Sequence, residues 1–385
     1  VSEEAFRLAA RHFSEEEMVS SIRTWIDEER SGFLIEILED QHRSLAEIVE
    51  AIDRHRSHIG DTKHLPAPFQ RTLSAALLRR LFSDEIAFIN VAKNSVRLED
   101  VYGIINNIVY PLHGHGKLGG KSAGLFLANR LIRKAADTSD LLKNVKMPRT
   151  WYVSSNALLE FLSHNNLREL YFRKYMNIEH VRQEYPHIVH LLKNSHVPPE
   201  ISRGLALALE DFEDRPIIVR SSSLLEDRMG SSFAGKYKSL FLANRGTRKE
   251  RLEALQDAIA EIYASTFSPD PIEYRAERGL LDVHEEMGIM IQEVVGTRIG
   301  KYFLPSFSGV ALSHNEFRWS ARIRREDGLL RLVPGLGTRA VDRVGDDYPI
   351  LLAPGQPGLR VNVTPDEVIR YSPRWVDVIN LETNT

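Results

Sequence analysis

Residues 217–242 read IIVRSSSLLEDRMGSSFAGKYKSLFL, and the order of residue types along this stretch does most to decide the fold. Ile217, Ile218 and Val219 make a compact apolar strand that ends in Arg220 and breaks into Ser221, Ser222 and Ser223. Gly230, Ser231, Ser232 and Gly235 follow as a flexible loop. KYKSLFLAN (residues 236–244) then alternates as a half-buried strand does. Arginine presents a planar fork suited to phosphate oxygens, and a hairpin tip rich in Gly and Ser can fold over a triphosphate. The competing reading is an ordinary hairpin with a surface arginine. Loops longer than a tight turn are more often functional than decorative, which favours the first.

Outward from this stretch the chain alternates. Before it, YGIINNIVY (102–110) reads as a short apolar strand, followed by the glycine-rich GHGKLGGKS (114–122) and the helical AGLFLANRLIRKA. WYVSSNALLEFL (151–162) repeats strand then helix. After it, Thr247 and Glu250 have capping-box spacing and open a helix with the inner stripe Leu252, Leu255, Ile259, Ile262 and Tyr263. MGIMIQEVV (287–295) is a further strand; SGVALSH, FRWSARI and LLRLVPGLG read as short antiparallel strands. This mixture of helices and hairpin-like pairs argues for an α+β class.

The first hundred residues read as helices instead. Ser14 with Glu17, and Ser44 with Glu47, have capping-box spacing, and Leu45, Ile48, Val49 and Ile52 follow the rhythm of one buried stripe. His55, His58 and His64 lie in RHRSHIGDTKHLPAP, read as a solvated linker because no carboxylate joins them at helical spacing to make a metal site. A further helical stretch is expected over Phe69 to Phe88.

Two more segments carry candidate chemistry. Gly119-Gly120-Lys121-Ser122 stands between an apolar run and a helix, where small residues let backbone approach a phosphate and Lys121 adds a point charge. It is not a P-loop: the position that motif requires to be glycine is His115. The plainer alternative is a glycine-rich turn capping a core helix. Gln292 and Glu293 are polar residues in an apolar strand, where burial costs free energy unless partners are found. Adenine could be that partner, with Val294 against its face; a strand end reaching solvent serves equally well.

Composition sets the outer bounds. The chain has 385 residues, 43% hydrophobic and 27% charged, enough for two or three domains. Fifty Lys+Arg against 53 Asp+Glu give a net charge of −3, which offers nucleic acid no basic bias. The absence of cysteine excludes disulfides, thiolate catalysis and Cys-ligated metals, and agrees with a reducing cytoplasmic setting. No apolar run approaches the ~20 residues that span a bilayer. The chain starts at Val1 without a methionine and is expected to be a piece of something longer.

Taken together, LGGKSAGL, IIVRSSSLLEDRMGSSFAG and IMIQEVV…SGVAL resemble, in order and spacing, the N-terminal nucleotide-binding domain of the pyruvate phosphate dikinase and phosphoenolpyruvate synthase family. Rifampicin phosphotransferase and the glucan water dikinases are built around a similar domain. The resemblance covers residues 101–344 and implies an ATP-grasp-like fold holding ATP between two lobes. It would follow an all-helical domain over residues 1–100, in a domain of residues 101–385 with sub-lobes over 101–205 and 206–385. In such enzymes a phosphoryl group passes from ATP to a histidine on a separate swivelling domain, and then to pyruvate or another acceptor.

Carried over by position, the resemblance makes Lys121 the phosphate-binding lysine and Arg220, next to Ser221, the phosphate clamp. Gly230, Ser231, Ser232 and Gly235 become the loop over the phosphates, and Gln292, Glu293 and Val294 the adenine strand. ATP and Mg²⁺ are the implied cofactors. The partners implied are a phosphohistidine domain and an acceptor-binding domain, both expected further along the full-length chain. A homo-oligomer through the N-terminal helices is compatible with their apolar stripes.

Three departures qualify this. Gly335-Leu336-Gly337-Thr338 stands where the family has Gly-Leu-Gly-Glu, and SHNEFRW replaces a Thr-x-x-Pro run. The family's Mg²⁺- and phosphate-binding "Glu…Leu-Gln-x-Arg-Pro" segment has no counterpart before Thr385. No metal ligand is therefore assigned, and complete catalysis by this stretch alone is not expected. The alternatives are a nucleotide-responsive regulatory module without phosphotransfer and a helical scaffold with a degenerate nucleotide-binding body. His113 and His115 do not reproduce the carrier motif and read as loop residues.

Overall fold

The structure is a computed structural model and describes residues 2–59, 65–225, 235–283, 285–341 and 347–383. It opens with six helices: α1 (Ser2–His12), α2 (Glu15–Glu39), α3 (Leu45–Ile59), α4 (Ala67–Leu81), α5 (Ile86–Ala92) and α6 (Leu98–Ile105). Both expected capping boxes form. The Glu17 N–H reaches Ser14 Oγ at 3.2 Å and its carboxylate accepts Ser14 N–H at 2.8 Å; Glu47 and Ser44 repeat the pair at 3.3 and 2.8 Å. The stripe Leu45, Ile48, Val49 and Ile52 is buried, as amphipathic spacing requires.

Three expectations in this region need correction. The first four residues of YGIINNIVY complete α6: Leu98, Val101, Tyr102 and Ile105 are all buried, and that i, i+3, i+4, i+7 stripe outweighs the strand-like run, leaving only β1 (Ile108–Val109) as strand. The stretch over Phe69 to Phe88 is broken at residues 82–85, where Ser83 Oγ accepts the Glu85 N–H at 3.1 Å. The histidine segment is no linker at its start, since α3 runs to Ile59 and His55 is fully buried. Ser31 donates to Asp27 O at 2.6 Å, so His55 Nε2–H donates to Ser31 Oγ at 2.9 Å, and Tyr102 O–H donates to His55 Nδ1 at 2.9 Å. His64 lies outside the described residues.

Beyond β1 come α7 (Gly120–Ala136), α8 (Asp140–Lys143), β2 (Thr150–Val153), α9 (Ala157–His164), α10 (Ile178–Lys193) and α11 (Pro199–Phe212). Then follow β3 (Ile217–Ser223), β4 (Ser239–Leu242), α12 (Arg248–Ser265), α13 (Pro269–Glu277) and β5 (Met287–Glu293). One sheet has the order β1-β2-β5-β3-β4. β1 and β2 are parallel, with Ile108 opposite Tyr152. Leu224 N–H to Glu286 O (3.2 Å) and Val294 N–H to Pro216 O (2.8 Å) give β3 and β5 the antiparallel sense. The strand expected at IIVRSSS and the capped helix after Thr247 both form.

The chain divides into two compact units, Val1–Asp211 with Arg220–Tyr237 and Gln256–Ile291, and Phe212–Val219 with Lys238–Leu255 and Gln292–Thr385. In the first, the N-terminal helices share a core with the elements that follow them. Leu34, Ile48, Leu77 and Val101 belong to one cluster with Leu118, Phe126, Tyr152 and Met290, and Phe82 stacks on Phe126 at 4.7 Å. That cluster has members on both sides of residue 100, Leu98 and Val101 among them.

The second unit contains β6 (Thr297–Ile299), β7 (Tyr302–Leu304), β8 (Phe307–Leu312), β9 (Leu329–Pro334), α14 (Thr338–Val341), β10 (Ile350–Leu352), α15 (Pro365–Arg370) and β11 (Ile379–Asn380). Its antiparallel sheets are ordered β10-β9-β8 and β11-β7-β6. Ala243, Leu336, Ile379 and Leu381 form its core cluster. FRWSARI, expected as a strand, is irregular: Trp319 Nε1–H donates to Leu359 O at 2.9 Å and Ile323 is buried, so side-chain anchors replace a ladder.

Candidate functional site

The site candidate in the first unit lies where α7 begins. Gly119 caps the helix at φ +85°, and a Cβ there would stand 1.6 Å from the Ser222 carbonyl oxygen. Only glycine fits. Gly288 on β5 is confined in the same way, its missing Cβ facing Leu118 O at 2.8 Å and Ser222 O at 3.0 Å. Backbone from the glycine-rich loop, β3 and β5 thus converges where no side chain could intervene.

On this support the polar side chains are tightly bonded. Lys121, in the first turn of α7, donates from Nζ to Ser221 O (3.1 Å) and Ser221 Oγ (3.0 Å). Ser122 N–H donates to Ser222 Oγ at 3.1 Å, and the two serine hydroxyls are 3.0 Å apart. Ser221, Ser222 and Ser223 are all fully buried. Burial of three hydroxyls is tolerable because each has partners.

Ser223 leads to a buried charge pair. Its Oγ donates to Glu285 Oε1 at 2.5 Å, the Tyr237 hydroxyl donates to the same oxygen, and Arg275 Nη1 donates to Glu285 Oε2 at 2.6 Å. The Arg275 and Glu285 side chains are only 4% and 1% exposed, so the pair stands outside solvent screening. Arg275 is held further by Thr266 O at 3.0 Å and Pro271 O at 3.2 Å. The sequence reading passed over Glu285, Arg275 and Gly288; the legible signal was two adjacent glutamates leading into the apolar MGIMI strand.

The other candidates fall as follows. Arg220 is half-buried on β3, one residue before Ser221. Gly235 has φ +74° and open space where a Cβ would be. Gly230, Ser231 and Ser232 lie outside the described residues. Gln292, Glu293 and Val294 belong to the second unit. Gln292 is buried, Glu293 pairs with Arg215 at 3.1 Å, and Val294 packs on the Ala243–Leu336 cluster.

The loop ahead of Gly119 is fastened from both sides. Leu118 N–H donates to Leu81 O at 2.8 Å, and Leu118 O accepts from Ser222 Oγ at 2.9 Å. Arg80 Nη1 donates to His115 O at 2.9 Å, and Leu45 N–H donates to Gly114 O at 2.7 Å. His115 therefore serves the loop, as its sequence position suggested.

Among the described residues no three His, Asp or Glu side chains gather as a metal site. No helix among the described residues is long and apolar enough to cross a membrane.

Residues 115–385 match the family model described as pyruvate phosphate dikinase, AMP/ATP-binding domain. Over 194 residues the chain is 26% identical to the phosphoenolpyruvate synthase of Aquifex aeolicus (strain VF5), an alignment covering 47% of this chain and 21% of that protein. The chain thus spans about a fifth of that relative's length. The match starts at the glycine-rich loop and runs through β3, β5 and the second unit, so the chain belongs to the pyruvate phosphate dikinase family and carries its AMP/ATP-binding domain.

Proposed function

We propose that this chain is the ATP-binding portion of a dikinase-type phosphotransferase, which passes a phosphoryl group from ATP to a histidine on a separate domain and on to an acceptor such as pyruvate. The observation that carries the reading is Lys121, held by both oxygens of Ser221 at the first turn of α7. An ammonium fixed there, beside the amide donors of a helix start, suits a phosphate. Arg220 supplies a second cation, of the shape that grips phosphate in two places. Ser221, Gly230, Ser231, Ser232 and Gly235 are assigned to the phosphates, and Gln292, Glu293 and Val294 to adenine, on the family resemblance.

Phosphoryl transfer needs positioning and charge neutralisation more than a protein nucleophile, so a site without thiol or serine attack is adequate. Magnesium would arrive with the nucleotide.

The test is thermal melting of the protein with ATP and Mg²⁺ in the buffer, with Lys121→Ala and Arg220→Ala alongside. Ligand at about 100 times Kd adds about 2.7 kcal/mol. Unfolding entropy grows with chain length, so over 385 residues that raises Tm by about 3–5 °C. No rise in the parent, or an equal rise in both variants, would overturn the assignment.

Thr338, at the start of α14 where the family has glutamate, favours a second reading in which the chain senses nucleotide without transferring phosphate. The full-length protein separates the two, since only a dikinase converts ATP to AMP.

A further inference from the structure

A cavity of about 450 Å³ lies on the first unit, with α2, α4 and the glycine-rich loop contributing its walls and none of the β3 serines among its lining residues. Leu38 and Ala76 give it an apolar side, and Arg79, Arg80 and Lys117 bring three cations to it. Its size is that of a small-molecule site, with an apolar wall and a few convergent charges.

The cations are differently occupied. Arg80 spends Nη1 on His115 O and Nη2 on Arg43 O, at 2.9 and 2.7 Å, while its buried Nε–H has no partner among the described residues. A buried guanidinium N–H without an acceptor is uncommon and costs free energy. Lys117, with its side chain 17% exposed, pairs with Asp84, which also lies 3.9 Å from Arg79. The Asp84 side chain is 68% exposed and bridges the two cations from the solvent side. A ligand with more than one negative charge can displace a single exposed carboxylate from such a pair. Glu39 also lines the cavity, but it is exposed and can turn to water.

We propose that this cavity is a second ligand site, for a small polyanion of the phosphorylated-metabolite class, with Arg79, Arg80 and Lys117 as its cationic contacts. α2 and α4 precede the family match, which begins at His115, so the site is built largely by helices that the matched domain does not include. It has a direct line to the start of α7. Lys117 adjoins Leu118, whose N–H is bound to Leu81 and whose carbonyl is bound by Ser222.

The test uses inorganic pyrophosphate as the probe and Tm as the readout, on the full chain and on Arg79→Gln/Lys117→Gln and Lys121→Ala. A saturable rise is expected in the parent and in Lys121→Ala, which removes the lysine of the nucleotide-phosphate site, and none when Lys121→Ala is combined with the double variant. No saturable rise in the parent, a rise kept by the combined variant, or one lost in Lys121→Ala alone would overturn the proposal; the last would put the probe at the α7 start. Asp84→Asn removes the competing carboxylate and keeps the test decisive if the double variant does not fold. Its half-saturating pyrophosphate concentration should fall by about two- to fivefold. An unchanged or raised value counts against the site.

Discussion

Ser222 Oγ accepts the backbone N–H of Ser122 at 3.1 Å and donates its own proton to Leu118 O at 2.9 Å. A hydroxyl has one proton, so in the 3.0 Å contact between the two side chains Ser122 must be the donor. One serine thereby ties strand β3 to the last residue before Gly119 and to the first turn of α7. The Lys121 ammonium, one residue earlier on the same turn, takes its position from this tie and from Ser221.

Ser222→Ala should cost about 1–3 kcal/mol, because it leaves a buried N–H, a buried hydroxyl and a carbonyl short of a partner. The check is urea or thermal unfolding, where in a chain of 385 residues each kcal/mol is worth about 1–2 °C. A variant as stable as the parent would show that the hydroxyl has no such role.

Two glycines of the same segment should respond in opposite directions. Gly119→Ala places a Cβ 1.6 Å from backbone at φ +85°, so a loss above about 4 kcal/mol is expected. Gly124, in the middle of α7, has nothing within 4 Å of its missing Cβ. Gly124→Ala should stabilise by about 0.5–1 kcal/mol through helix propensity. Soluble yield and melting curves of the pair decide both.

What the sequence disclosed was whatever is local. Ser14–Glu17, Ser44–Glu47 and Thr247–Glu250 are capping boxes three residues apart, and each forms. The IIVRSSS strand and the helix after GGKS were equally legible, since period and punctuation lie within the segment. His55 was not, because the groups that make its burial tolerable, Ser31 and Tyr102, are 24 and 47 residues away. FRWSARI misled because alternation alone does not provide a strand partner. In the candidate site the place of Lys121 at a helix start was legible from its setting. Glu285 was not, because Arg275, Tyr237 and Ser223 become its partners only through the fold.

The buried pair of Arg275 and Glu285 should be among the most sensitive points of the first unit. Glu285→Ala strands a guanidinium that is 4% exposed and removes the acceptor of Ser223 and Tyr237, a loss of about 3–5 kcal/mol. Arg275→Met should cost a similar amount, and the double variant less than the sum, because neither charge is then left alone. A double-mutant cycle in urea measures this. Additive losses would show that the two side chains act independently.

Acid sensitivity should trace in part to the cap of α3. Glu47 accepts from Arg43 Nη1 at 2.8 Å and from Ser44 N at 2.8 Å, and these bonds, Arg43 first, bring its pKa from 4.5 down to about 2. A carboxylate whose folded pKa is depressed adds stability that is present above its unfolded value and lost as pH falls through the folded one. The contribution should therefore fade between about pH 5 and about pH 2. Glu47→Gln keeps an amide oxygen for the Ser44 N–H but has no charge to lose. Its Tm should fall less than the parent's across that window. Equal falls would show that Glu47 gains nothing from Arg43 and Ser44 in the folded state.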